Sequence, residues 1–135
     1  NPRRMCNGFD YNRGVLLLAV LEKRGGLLLG NCDAYLNVIG GLSLDEPAAD
    51  LAAVLALASS FRDKPVPADL AAVGEVGLTG ELRSVSALGQ RLSEVRRLGF
   101  SKCLVPRRIQ GKLTAPEGLE LIRVSNIREA LAALL

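Results

Sequence analysis

Three acids and a proline stand within six residues in the stretch SLDEPAAD (43–50), which opens onto the apolar run LAAVLALASS. An apolar helix introduced this way is where a catalytic loop often meets its helix. Asp45, Glu46 and Asp50 could in principle hold a divalent cation. Carboxylates at a helix start more commonly sit at the positive end of the helix dipole, and no second ligand group lies nearby, so capping is the favoured reading. The residues just inside the helix, Ala48 and Ala49, carry no functional group. Hydroxyls are available at Ser43, Ser59 and Ser60, and Lys64 is the nearest amine. A serine–lysine mechanism needs a hydroxyl and an unprotonated amine within hydrogen-bond reach. Ser59 and Ser60 close the helix roughly 18 Å from its start. Lys64 falls in a proline-rich connection where nothing would lower its pKa.

Other chemistry is thinly represented. Histidine is absent, which removes His-dependent triads and the commonest transition-metal ligand. The three cysteines, Cys6, Cys32 and Cys103, are widely spaced with no Cys-x-x-Cys pair, fitting reduced thiols rather than a disulfide framework or a zinc site. The segment GEVGLTGELR (74–83) spaces its glycines as G-x-x-G-x-x-G with no lysine after the last, which is neither a Walker loop nor a dinucleotide fingerprint. Gly111-Lys112 lacks an upstream glycine. Turn formation explains both better than nucleotide binding.

The elements that must position these residues belong to one domain. The chain has 135 residues, 49% apolar and 23% charged, with three Phe, two Tyr and no Trp, so its core must be aliphatic. No apolar run approaches the length of a membrane span, and no signal peptide is visible. The absence of an initiator Met suggests a piece of a longer cytoplasmic protein. DYNRGVLLLAVLEKR (10–24) reads as a helix capped by Asp10 or Asn12 and stopped by Gly25-Gly26. AYLNVIGG (34–41) reads as a strand and Pro47 to Ser60 as a helix nearly surrounded by protein, because Leu51 to Ala58 are all apolar. Residues 70–78 and 81–85 read as a hairpin, and 87–98 as an amphipathic helix with Leu88, Leu92 and Val95 on one stripe. Strands follow at 102–106 and 119–124, and Ser125 is placed to cap a last helix over 126–135. This alternation predicts a layered α/β or α+β domain.

The stretches DEPAADLAAVLALASS, GEVGLTGELRSVSALGQRLSEVRRLGF and CLVP together resemble the proteolytic domain of the Lon family, over about residues 35–106. The resemblance implies a two-layer α+β fold of the ribosomal protein S5 domain 2 type. It also implies a D-G-P-S-A-G loop bearing the serine nucleophile, and a helix whose start bears a lysine base. Asp45 and Pro47 agree with that loop. Ala48 stands where the serine belongs, Glu46 and Asp50 replace glycines, and Gly89 stands where the lysine belongs. No peptidase is expected, and no catalytic residue is assigned.

With the opening FDYNRGVLLLAVLEKRGG and with YLNVIGGLSLDEPAADLA, the likeness extends to the C-terminal Lon-like domain of the RadA (Sms) family of bacterial DNA repair proteins. That resemblance implies a zinc finger and a RecA-like ATPase outside this chain, so zinc, magnesium and ATP are expected there and no cofactor or metal here. It implies a hexameric ring through which DNA passes, an ATP-driven branch-migration motor in recombination, and the RecA recombinase as a further partner. The alternatives are an atypical Lon-type peptidase and the Lon-like domain of a ComM-type AAA+ helicase.

Charge supplies a candidate surface. The formal net charge is only +3, yet Arg96, Arg97, Lys102, Arg107, Arg108 and Lys112 fall between Val95 and Glu117 with no acid among them. These six, with Arg83 and Arg91, are the expected contacts to single-stranded DNA, held by its phosphates without reading of bases. The competing reading is a solvated outer face; Arg123 and Arg128 are read as ordinary surface or interface residues.

Overall fold

The computed structural model describes residues 1–41 and 43–134. Helix α1 (Tyr11–Gly25) starts where the Asp10 carboxylate accepts from Arg13 N and ends at Gly26 in the left-handed conformation, φ 77°. Both signals were readable in the sequence. Leu17, Leu18, Val20 and Leu21 form its buried side. In front of it lies a strand that the sequence did not announce, β1 (Arg4–Asn7), paired parallel with β2 (Ala34–Asn37). The strand expected over 34–41 is shorter than that, because Gly40 turns the chain at φ 86° into a single 3-10 turn.

The quoted loop enters a 3-10 turn at Pro47–Ala49 and then helix α2 (Asp50–Arg62). Leu51, Val54, Leu55 and Ala58 are fully or nearly buried at helical spacing, and each leucine buried this way contributes about 2 kcal/mol. Ala52 and Ala56 are exposed, so α2 is not enclosed as its uniform apolarity suggested.

Residues 70–78 do not form one strand. Gly74 divides them into β3 (Leu70–Ala72) and β4 (Glu75–Val76), which join different sheets. The corner lies against α2, where a Cβ at Gly74 would be in ordinary contact with Leu51 Cδ2 at 3.4 Å. The hairpin survives as β4 with β5 (Leu82–Arg83), antiparallel.

Helix α3 (Leu88–Arg97) leads to β6 (Lys102–Pro106), whose bounds match the sequence reading. The last strand, β7 (Glu120–Val124), precedes helix α4 (Ile127–Leu134). Asn126, rather than Ser125, caps α4, its Oδ1 accepting from Glu129 N at 2.8 Å, while Glu129 reaches back to Ser125 N at 3.1 Å. The final residue of the helix expected over 126–135 lies outside the described residues.

Strands β3, β6 and β7 form a parallel sheet with β6 in the centre. Alternation along β6 separates two apolar clusters. Leu104 packs with the main core of α1, α2 and α4, while Cys103 and Val105 pack with Leu88 and Leu92 of α3. The chain has the mixed α+β class expected, with helices against three small sheets. Among the described residues no helix is long and apolar enough to cross a membrane.

Candidate functional site: an emptied catalytic loop and a basic groove

The loop that would carry a nucleophile is built in from both sides. Its start is held by a parallel bridge between Phe9 and Leu44. Glu46 is extended, and its side chain accepts from Ala48 N at 3.4 Å, so the acid does cap the turn. Ala48 O accepts from Gly74 N at 3.0 Å and Gly74 O accepts from Leu51 N at 3.1 Å, joining the loop to the β3–β4 corner. The Ala48 side chain is 6% exposed and lies in an apolar cluster with Val73, Leu88 and Leu92. Gly89 falls between those two leucines on the first turn of α3 and is itself exposed. A Cβ added at Gly89 would have Leu113 Cδ1, at 3.8 Å, as its nearest neighbour. Ala48 and the start of α3 that carries Gly89 thus meet at one aliphatic cluster.

The carboxylates that replace loop glycines have acquired arginine partners. Arg91 Nη2 meets Glu46 Oε1 at 2.5 Å, and its Nε donates to Ser86 O at 2.8 Å. This ties the loop to the start of α3. Hydrogen bonding from Arg91 is the main cause that holds the Glu46 carboxyl below its ordinary value. Asp50 is buried, 1% exposed, and receives a two-pronged contact from Arg13 on α1: Nε to Oδ1 at 3.0 Å, and Nη2 to Oδ2. Val76 N donates to Asp50 Oδ2 at 3.1 Å and Val76 O accepts from Arg13 Nη2 at 3.2 Å. One carboxylate therefore fastens α1, α2 and β4 together, with every buried polar side-chain atom of the group satisfied. A small cavity of about 150 Å³ separates Phe9, Asp10 and Arg13 from the loop. Among the described residues no set of three acids, thiols or histidines is grouped to hold a metal.

The remaining hydroxyls and thiols have structural surroundings. Ser59 Oγ donates to the Lys64 carbonyl at 2.5 Å, a helix-end contact that uses the backbone of that lysine. Burial pushes the Cys103 thiol up to about 12, so it is not a thiolate near neutral pH. Burial, with a smaller effect of Asp10, also raises Cys6.

Of the eight cations singled out from sequence, three line one groove. Arg91 is committed to Glu46 and Arg97 pairs with Glu94 on the same helix. Arg96 donates to Glu117 O and Phe100 O, both at 3.2 Å, and its guanidinium lies where a side chain at Gly118 would be, 2.7 Å from a Cβ there. Lys102 opens β6 and Arg107 follows its end, so strand geometry sets them about 16 Å apart. Lys112 is exposed and makes no ion pair among the described residues. Arg83, Arg107 and Arg108 do meet, lining with Ser84 and Ser125 an open groove of about 750 Å³ beyond the C-terminal end of β6. Glu75 and Glu81 lie in the same groove. Arg83 contacts Glu81 at 3.4 Å, and Arg107 holds Ser125 Oγ at 3.1 Å, Arg123 O at 3.0 Å and Glu129 at 3.2 Å. Arg108 has no ion pair among the described residues.

Residues 33–135 match the family of the Lon protease (S16) C-terminal proteolytic domain. Curated proteins extend the likeness to the N-terminal residues. The chain is 58% identical to the DNA repair protein RadA of Bacillus subtilis (strain 168), over 97% of the chain and 29% of the relative. It is 50% identical to DNA repair protein RadA of Streptococcus pneumoniae, over 97% of the chain and 31% of the relative. The corresponding protein of Listeria monocytogenes is 47% identical over 97% of the chain and 29% of its own length. The chain spans less than a third of the length of these relatives.

Proposed function

The chain belongs to the Lon C-terminal proteolytic domain family, and from that premise we propose that it is a non-proteolytic member, a scaffold that guides DNA within a larger DNA repair protein. The observation that carries this reading is the corner where Ala48 is buried against Leu88 and Leu92 while Gly89 stands beside them. Acyl transfer by this family's route needs a hydroxyl and an amine there, and the Glu46–Arg91 pair now occupies the mouth of the loop. With the chemistry gone, work is left to surfaces. The name of these relatives, DNA repair protein RadA, supports DNA as the partner.

In the finer form of the proposal, six copies build a ring beneath an ATPase tier. That ATPase, with its ATP and magnesium, and a zinc finger lie in parts of the whole protein outside this chain. The ring passes single-stranded DNA without sequence preference and takes part in branch migration, with the RecA recombinase as a neighbour. The groove of Arg83, Arg107 and Arg108 offers cations without aromatic stacking groups, which suits a strand that must slide.

Fluorescence anisotropy with a labelled single-stranded oligonucleotide tests this. The chain should bind weakly, with log affinity falling by about 0.7 for each phosphate contact per decade of salt. Arg107→Glu with Arg108→Glu should weaken binding further. Salt-insensitive binding, or no change on reversal, would refute the groove as the DNA contact.

A further inference from the structure

A second basic hollow lies at the turn of the β4–β5 hairpin, and its residues are not among the eight cations singled out from sequence. Lys23 and Arg24 close α1, and Arg128 belongs to the first turn of α4, 104 positions from Arg24. Together with the Thr79–Gly80 turn and Asn126 they surround a space of about 230 Å³. No carboxylate is among its lining residues, although Glu81 Oε1 accepts from Thr79 N at 3.1 Å and Thr79 Oγ1 at 2.8 Å beside it. That sets it apart from the groove described above, which contains Glu75 and Glu81. Arg83, Arg91, Arg97 and Arg107 each have a glutamate partner, whereas Lys23, Arg24 and Arg128 make no ion pair among the described residues.

The backbone holds these cations in place. Arg128 Nε donates to Arg24 O at 3.4 Å, so its guanidinium is tethered over the end of α1. Gly80, at φ 82°, brings the turn so close that a Cβ there would lie 2.9 Å from Arg24 Cβ. Ile127 N donates to Gly80 O at 2.9 Å, and Glu81 bridges to Asn126, which fixes the hairpin tip against α4. Three like charges held around one space repel each other, and the arrangement is relieved by an anion between them. Lys23 and Arg24 also suit the negative end of α1, but that accounts for two of the three cations and not for the convergence of Arg128 from α4.

We propose that this hollow, with Lys23, Arg24 and Arg128 around the Thr79–Gly80 turn, is a phosphate-binding site that takes the backbone of a single-stranded nucleic acid. The hairpin then contributes to two phosphate contacts, its turn to this hollow and its strands to the groove of Arg83, Arg107 and Arg108. The inference rests on the DNA-guiding reading for its ligand but on separate residues for its location.

The test compares the chain with a triple variant, Lys23→Ala, Arg24→Ala and Arg128→Ala, and with Arg107→Ala plus Arg108→Ala. Binding of a labelled oligonucleotide is followed by anisotropy over a salt series, and folding is checked by circular dichroism. Since these three side chains are exposed, the triple variant should remain folded. Its affinity should fall by about tenfold or more at low salt, and loss of three phosphate contacts should flatten the salt slope by about 2. Should the triple variant be destabilised, the single variant Arg128→Gln must still weaken binding and Arg128→Lys must largely restore it. A triple variant that binds like the parent while the Arg107 and Arg108 variant is impaired overturns the hollow and leaves the DNA-guiding reading standing. No oligonucleotide binding by the parent chain overturns both. Phosphorus NMR with pyrophosphate separates the two sources of phosphate. Pyrophosphate broadening that depends on the three cations, with oligonucleotide affinity independent of them, identifies a small-anion site and overturns the nucleic-acid assignment.

Discussion

Removing Arg13 should be the most damaging single change at the loop. The Asp50 carboxylate is 1% exposed and draws its compensation from two guanidinium contacts and one backbone amide. Arg13→Ala leaves only Val76 N, so a nearly dry charge loses most of its partners. Breaking a buried pair this way costs about 3–5 kcal/mol. The Arg13 side chain is 30% exposed, so water can reach the vacated space and the lower end of that range, about 3 kcal/mol, is expected. For a chain of this size that should lower Tm by roughly 10 °C. Urea unfolding followed by circular dichroism measures the loss. Replacing both partners, Arg13→Met with Asp50→Leu, removes the charge along with its counterion and should recover most of the stability. A loss below about 1 kcal/mol for Arg13→Ala, or a double variant no better than the single, would refute the view that Asp50 is a structural anchor.

Two further changes bear on the same frame. The Glu46 carboxyl is held below its ordinary value of 4.5, chiefly by Arg91, so the pair stabilises the fold above that value and its contribution disappears as pH falls below it toward the depressed folded value. Glu46→Gln should therefore be less stable than the parent at pH 7 by at most about 0.5 kcal/mol, because the pair is partly exposed, and the two should converge below about pH 4 in thermal melts. Asn126→Ala removes the α4 cap and should cost about 1 kcal/mol in urea unfolding, while Ser125→Ala, which keeps the cap, should cost less.

What the sequence made legible was local. Asp10 and Gly26 bound α1 because capping groups act within a few residues of the helix end. KCLVP was readable as a strand because Pro106 stops it and its middle is apolar. The Lon-family likeness was also readable, through the spacing of its motifs, over the stretches that carry Ala48 and Gly89. Apart from the Ser125 cap and the end of β2, the failures involve partners distant in sequence. β1 is four residues, Arg-Met-Cys-Asn, that become a strand only beside β2. The 70–78 run divides because β3 follows β6 while β4 follows β5, and only the contact of Gly74 with Leu51 marks the division. Arg13 and Asp50 are 37 positions apart, so neither alone indicates an anchor. The basic run 96–112 is contiguous in sequence, but the length of β6 separates Lys102 at its start from Arg107 beyond its end. Arg128, set aside as an ordinary surface residue, instead converges with Arg24 once α1 and α4 pack.

The central claim is a Lon-family frame from which the catalytic chemistry is missing. Hydrolysis of fluorescently quenched casein by the purified chain tests it most directly. The account predicts a rate indistinguishable from buffer at neutral and mildly alkaline pH, unchanged by Ser43→Ala, Ser59→Ala or Ser60→Ala. Hydrolysis above background that any one of those substitutions abolishes would contradict it.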